Sequence, residues 1–82
     1  MGASGRPALG GLTARELEVA RLIAQGMTNR EVAARLQIAQ RTAVAHVEHI
    51  MAKLGFASRV EIAVWMLQND RAAADAREPT QE

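Results

Sequence analysis

The chain has 82 residues, 49% of them apolar but only 2% aromatic, with ten basic and nine acidic side chains and no cysteine. A chain this short buries one small core and leaves no interdomain cleft for catalysis. Its near-balanced charge excludes capture of nucleic acid or membrane by bulk attraction, and the lack of cysteine excludes disulfide frameworks and thiolate zinc sites.

Residues 1–11, MGASGRPALGG, are glycine-rich and show no period, which predicts a flexible linker or a cloning remnant. Thr13 followed by Glu16 is a capping-box pair that opens a helix over 13–25, in which Val19, Leu22 and Ile23 share a face and Gly26 supplies the stop. Thr28 and Glu31 repeat the pair ahead of a helix at 29–36, with Val32 and Leu36 turned inward. The connection Leu36-Gln37-Ile38-Ala39 is short and carries an Ile38 expected to be buried. It forces the next helix, 40–54, to cross steeply, as in a helix-turn-helix, where the second helix is offered to the DNA major groove. Val47, Ile50 and Leu54 give that helix its core face and Gly55 ends it. Ser58 with Glu61 forms a third box for a helix over 59–69. Here Ile62, Ala63 and Met66 suit the core, while Val60, Val64 and Leu67 form a second apolar stripe that wants a partner. Residues 70–82 hold two basic and four acidic side chains and no apolar stripe beyond alanines, which predicts a disordered tail. The expectation is an all-α, compact four-helix bundle containing a helix-turn-helix, confined to residues 12–69, where seven basic and five acidic side chains leave a slight positive excess. The longest apolar run, Ile62 to Leu67, is far below the roughly 20 residues that span a bilayer, and no signal-peptide pattern begins the chain. A cytoplasmic location with no membrane partner is expected.

The stretch LTARELEVARLIAQGMTNREVAARLQIAQRTAVAHVEHIMAKLGFASRVEIAVW, Leu12 to Trp65, resembles the LuxR-type (GerE-like) DNA-binding domain. It follows that family's pattern LTxRExEVxxLIAxGxTNxEIAxxLxISxxTVxxHVxxIxxKLGxxSRxEAxxW in register, and AHVEHIMAKLGFASR is most similar to variants in actinobacterial regulators. The resemblance implies a domain of the LuxR C-terminal type that binds double-stranded promoter DNA as a dimer, and the small stripe of Val60, Val64 and Leu67 predicts that this homodimer is weak. The resemblance also implies an N-terminal sensor or regulatory domain absent from this chain, and RNA polymerase is expected as a further partner.

Helix starts and nearby hydroxyl or basic groups suit phosphate, which nominates Thr28, Asn29, Gln40, Arg41 and Thr42. The resemblance adds Lys53, Ser58 and Arg59 as backbone contacts; Thr28 and Ser58 are also explained by capping alone, and Arg41 by solvation. It turns Val44, Ala45 and Glu48 into the major groove, where Val44 and Ala45 can meet thymine methyls, Glu48 can accept from cytosine, and Gln40 or His49 can bond base edges. The sequence departs from the family at Val44, commonly Lys or Arg, and at Ala39, usually Ser; both changes weaken the grip or the start of this helix. In the resembling family the last helix supplies the dimer contact, here Val60, Val64 and Leu67. His46 and His49 share a helix side but have no further ligands for a zinc sphere, so neither metal nor cofactor is expected. No nucleophile-base constellation points to an enzyme. A competing reading keeps the fold as a protein-interaction or dimerisation module with weak or lost DNA binding.

Overall fold

The computed structural model describes the backbone of residues 9–77 and the side chains of residues 10–70. Within the described residues there is no strand: a 3-10 turn at Leu9–Gly11 leads into four helices, α1 Ala14–Ala24, α2 Asn29–Leu36, α3 Gln40–Leu54 and α4 Arg59–Arg77.

Both of the first two capping boxes form. The Thr13 hydroxyl accepts from the Glu16 N–H at 3.1 Å while the Glu16 carboxylate accepts from the Thr13 N–H at 2.9 Å, and Thr28 with Glu31 repeats both distances. Thr13 is thus the cap rather than the first helical residue, and Gln25 caps the other end of α1. The third box forms by half. The Glu61 carboxylate accepts from the N–H groups of Ala57 and Ser58, but the Glu61 N–H donates to the Ser58 carbonyl at 3.2 Å instead of the expected hydroxyl. Ala39, the N-cap of α3, makes no side-chain cap bond, as the missing hydroxyl dictates.

Helix ends explain the tight turns. Around Gly26, the Met27 N–H returns to the Leu22 carbonyl at 3.2 Å, and past Gly55 the Phe56 N–H returns to Met51 at 2.9 Å; the two glycines have φ of 90° and 72°. α2 ends in the same motif on a residue that has a Cβ. Gln37 sits at φ 59°, ψ 46°, and the Ile38 N–H reaches the Ala33 carbonyl at 3.0 Å. This left-handed residue costs about 1 kcal/mol and reverses the chain between α2 and α3 within a few residues.

Leu12, Val19, Val32, Ile50, Ile62 and Met66 are fully buried, so the lead-in and every helix send a side chain to one centre. Each such burial is worth roughly 1.5–3 kcal/mol. α1 packs on α3 and α4, and α2 packs on α3. Leu36, Ile38, Leu54 and Ala63, expected inside, are half-buried at the margin because the small domain has few fully enclosed positions.

Two boundaries differ from expectation. The end of the expected linker is a packed turn: a Cβ on Gly10 would lie 2.6 Å from Leu54 Cδ2 and 3.0 Å from Trp65 Cζ2, so a larger residue would have to displace the Leu54 side chain and also bear the strain of φ 60°. α4 does not stop at residue 69 but continues to Arg77, into the expected disordered tail. Ala72, Ala73, Ala74 and Ala76 carry the highest helix propensity of any residue type, which sustains a helix already nucleated by packing even without an apolar stripe. The remainder of the expected linker, 1–8, and of the expected tail, 78–82, lies outside the described residues.

Candidate nucleic-acid interface

α3 turns Ala43, Val47 and Ile50 into the core, and at 3.6 residues per turn the opposite face carries Arg41, Ala45 and Glu48. Gln40, Arg41, Glu48 and His49 are exposed, and Thr42, Val44 and Ala45 are half-exposed. All the α3 residues nominated for groove or phosphate contact, including the exposed Lys53 near its end, therefore lie on its outward and lateral surface. Chemically the face combines one guanidinium, one carboxylate and a low apolar step at Val44 and Ala45. It can donate at its N-terminal end, accept at Glu48 and meet methyl groups between them.

Thr28, Asn29, Lys53 and Arg59 are engaged within the protein itself. Arg59, half-buried at the start of α4, donates from Nη1 to Asn29 Oδ1 and from Nη2 to the Met27 carbonyl, both at 2.7 Å. That fork pins α4 to the α1–α2 turn. Thr28 is exposed and engaged in its capping box, whereas the exposed Ser58 uses only its backbone groups at the cap. Lys53 Nζ donates to Glu16 Oε1 at 2.7 Å, and His49 Nδ1 stands 4.0 Å from Glu16 Oε2. Glu16 is buried, which on its own would raise its pKa; the Lys53 ammonium and the bonds with Thr13 reverse this and hold it below the ordinary value of 4.5.

Sequence reasoning read Glu16 only as a cap. Its position three and four residues before the buried Val19 and Ala20 places it on the inward side of α1, a signal that would have found the burial. Arg30 and Arg35 of α2 carried no such signal: both are exposed and form no ion pair among the described residues. Within α3, Arg41 likewise has no ion-pair partner among the described residues. No group of three or more His, Cys, Asp or Glu side chains among the described residues could hold a metal ion.

The second stripe of α4 is open, with Val60, Val64 and Leu67 exposed by 65%, 47% and 56%. Beside it lies a shallow cavity of about 330 Å³ lined by Phe56, Val60, Glu61, Val64, Trp65 and Gln68. Trp65 is half-buried, with one side against the core and Gly10 and the other on this cavity. No helix among the described residues is long and apolar enough to cross a membrane.

A short helix and a longer one joined by a left-handed turn, the second uncovered along its outer face, define a helix-turn-helix domain. Residues 11–66 match the family described as bacterial regulatory proteins, luxR family, and the chain belongs to that family, one of regulators rather than enzymes. Over 57 residues it is 47% identical to the nitrate/nitrite response regulator protein NarL of Escherichia coli, a match covering 70% of this chain and 26% of NarL. It is 44% identical over 57 residues to the oxygen regulatory protein NreC of Staphylococcus aureus, again over 70% of this chain and 26% of the relative. The chain thus spans about a quarter of the length of these relatives.

Proposed function

We propose that the chain is the sequence-specific DNA-binding output domain of a bacterial transcription regulator, with α3 inserted in the major groove. The observation that supports this best is the division of α3 into a core face of Ala43, Val47 and Ile50 and an uncovered face carrying Gln40, Arg41, Ala45 and Glu48. On this reading Arg41, Gln40, Thr42 and the α2 start at Thr28 and Asn29 fix register on phosphates, and Val44, Ala45, Glu48 and His49 face bases. The open stripe of Val60, Val64 and Leu67 pairs two copies weakly and sets their α3 helices about one DNA turn apart. A partner promoter places the protein in the cytoplasm, with RNA polymerase as a second contact. Because NarL is a response regulator by name, an N-terminal sensing or regulatory domain is the natural input.

The test is selection of binding sites from random duplex DNA by the purified chain at a stated salt concentration, together with sedimentation of wild type and Val64→Asp. Enrichment of a two-fold related, A·T-containing site and weaker self-association of the variant are expected. No enrichment of any sequence would replace this reading by the interaction module, and identical sedimentation of the two proteins would reject the α4 stripe as the dimer contact.

A further inference from the structure

The ion pair between α1 and α3 suggests how the strength of DNA binding is set. Glu16 is only 5% exposed, and its Oε1 is shared between the Thr13 N–H at 2.9 Å and Lys53 Nζ at 2.7 Å, while its Oε2 faces His49 Nδ1 at 4.0 Å. Residues 49 and 53 are one helical turn apart, so a single carboxylate on α1 faces two nitrogen-bearing side chains on one flank of α3. Resting on the DNA-binding reading above, we infer that Glu16 is a positioning residue for DNA affinity: it holds Lys53 against α1 and withholds that cation from the phosphate backbone.

Glu16 and the DNA backbone compete for one ammonium. A phosphate would have to draw Lys53 away from a buried carboxylate, and the departure would leave Glu16 charged, enclosed and short of its counter-ion. The phosphate itself is solvated and screened by salt, so the internal acceptor wins. Lys53 nevertheless keeps 39% of its side-chain surface exposed, and loss of the Glu16 charge would free it to swing outward. The Lys53 charge on this flank of α3 is thus neutralised within the folded protein, and the cation offered from this helix is Arg41.

Glu16→Gln removes the charge and keeps an acceptor for the capping box, which accommodates Gln. Wild type, Lys53→Met, Glu16→Gln and the double variant are to be titrated into a random-sequence duplex across a salt series, with circular dichroism melts confirming that each is folded. Lys53→Met alone should leave the slope of log K against log salt unchanged. Glu16→Gln should steepen it by about 0.9 for each protomer bound, and Lys53→Met in that background should restore the wild-type slope. A merely structural role for Glu16 would lower the melting temperature without moving the slope. A flatter slope in Lys53→Met alone, or an unchanged slope in folded Glu16→Gln, would overturn the inference. Should Glu16→Gln fail to fold, Lys53→Met decides by itself: an unchanged slope supports the withheld cation and a flatter one refutes it. If wild type binds no duplex at any salt, the DNA-binding reading falls and this inference with it; wild-type binding with the wrong slopes removes this inference alone.

Discussion

Replacing Arg59 by Met keeps much of the aliphatic stem but deletes the fork that joins α4 to the α1–α2 turn, and it should destabilise the domain severely. The guanidinium makes two bonds of 2.7 Å, to Asn29 Oδ1 and to the Met27 carbonyl, and hydrogen bonds to charged groups contribute roughly 1.5–3 kcal/mol each. Arg59 is half-buried, so water recovers part of the loss, and a total of about 2 kcal/mol is expected. For a domain of this size that corresponds to a fall in Tm of roughly 8–16 °C. Arg59→Lys, with a point charge in place of a fork, should lie between the two. Asn29→Ala removes one acceptor, and its effect should not add to that of Arg59→Met, leaving a coupling of about 1 kcal/mol in a double-mutant cycle. Thermal melts by circular dichroism read every protein in the set. If Arg59→Met melts within about 2 °C of wild type, or if the two substitutions are strictly additive, the fork does not hold α4 in place and Arg59 is better assigned to solvent or phosphate.

The remaining expectations concern helix ends and acid. Ala39→Ser supplies the missing cap of α3 and should raise stability by about 1 kcal/mol, while Gln37→Gly relieves the left-handed backbone and should raise it by a few tenths to about 1 kcal/mol in denaturant titrations. Loss of stability in Gln37→Gly would mean that the Gln37 side chain contributes more than its strain costs. Glu16 has a pKa held below 4.5, so its contribution is complete above that value and is lost as pH falls through the folded-state pKa. Wild type should therefore lose more Tm between about pH 5 and pH 3 than Glu16→Gln does, and parallel curves for the two would contradict the ionised pair with Lys53.

Three helix starts and two helix ends were legible because they are local chemistry: Thr13, Thr28 and Glu61 accept at starts, and Gly26 and Gly55 close ends. The α3 face was legible because Val47, Ile50 and Leu54 recur at helical spacing, which fixes what lies opposite. Interactions between residues distant in sequence were not. Glu16 with Lys53 and Asn29 with Arg59 each join positions 30 or more residues apart, and neither periodicity nor capping signals report such pairings. Asn29, Lys53 and Arg59, nominated for DNA from the sequence, also make side-chain bonds within the domain that the sequence did not announce. The close approach of Gly10 to Trp65 was hidden for the same reason, in a segment whose composition reads as linker. The length of α4 was missed because alanine extends a helix without marking it by a stripe.

Arg41 offers the most direct test of the central claim, being the exposed guanidinium on the outward face of α3 with no ion-pair partner among the described residues. Binding of wild type and Arg41→Ala is to be measured against a selected duplex and a random duplex over a salt series, with the fold monitored in parallel. Wild type should prefer the selected duplex. Arg41→Ala should weaken both duplexes alike, flatten the salt slope by roughly 0.9 for each phosphate no longer neutralised, and leave the helical fold intact. Equal and poor binding of the two duplexes at low salt, unchanged by Arg41→Ala, would contradict the DNA-binding account and leave the helices of this domain as a surface for proteins.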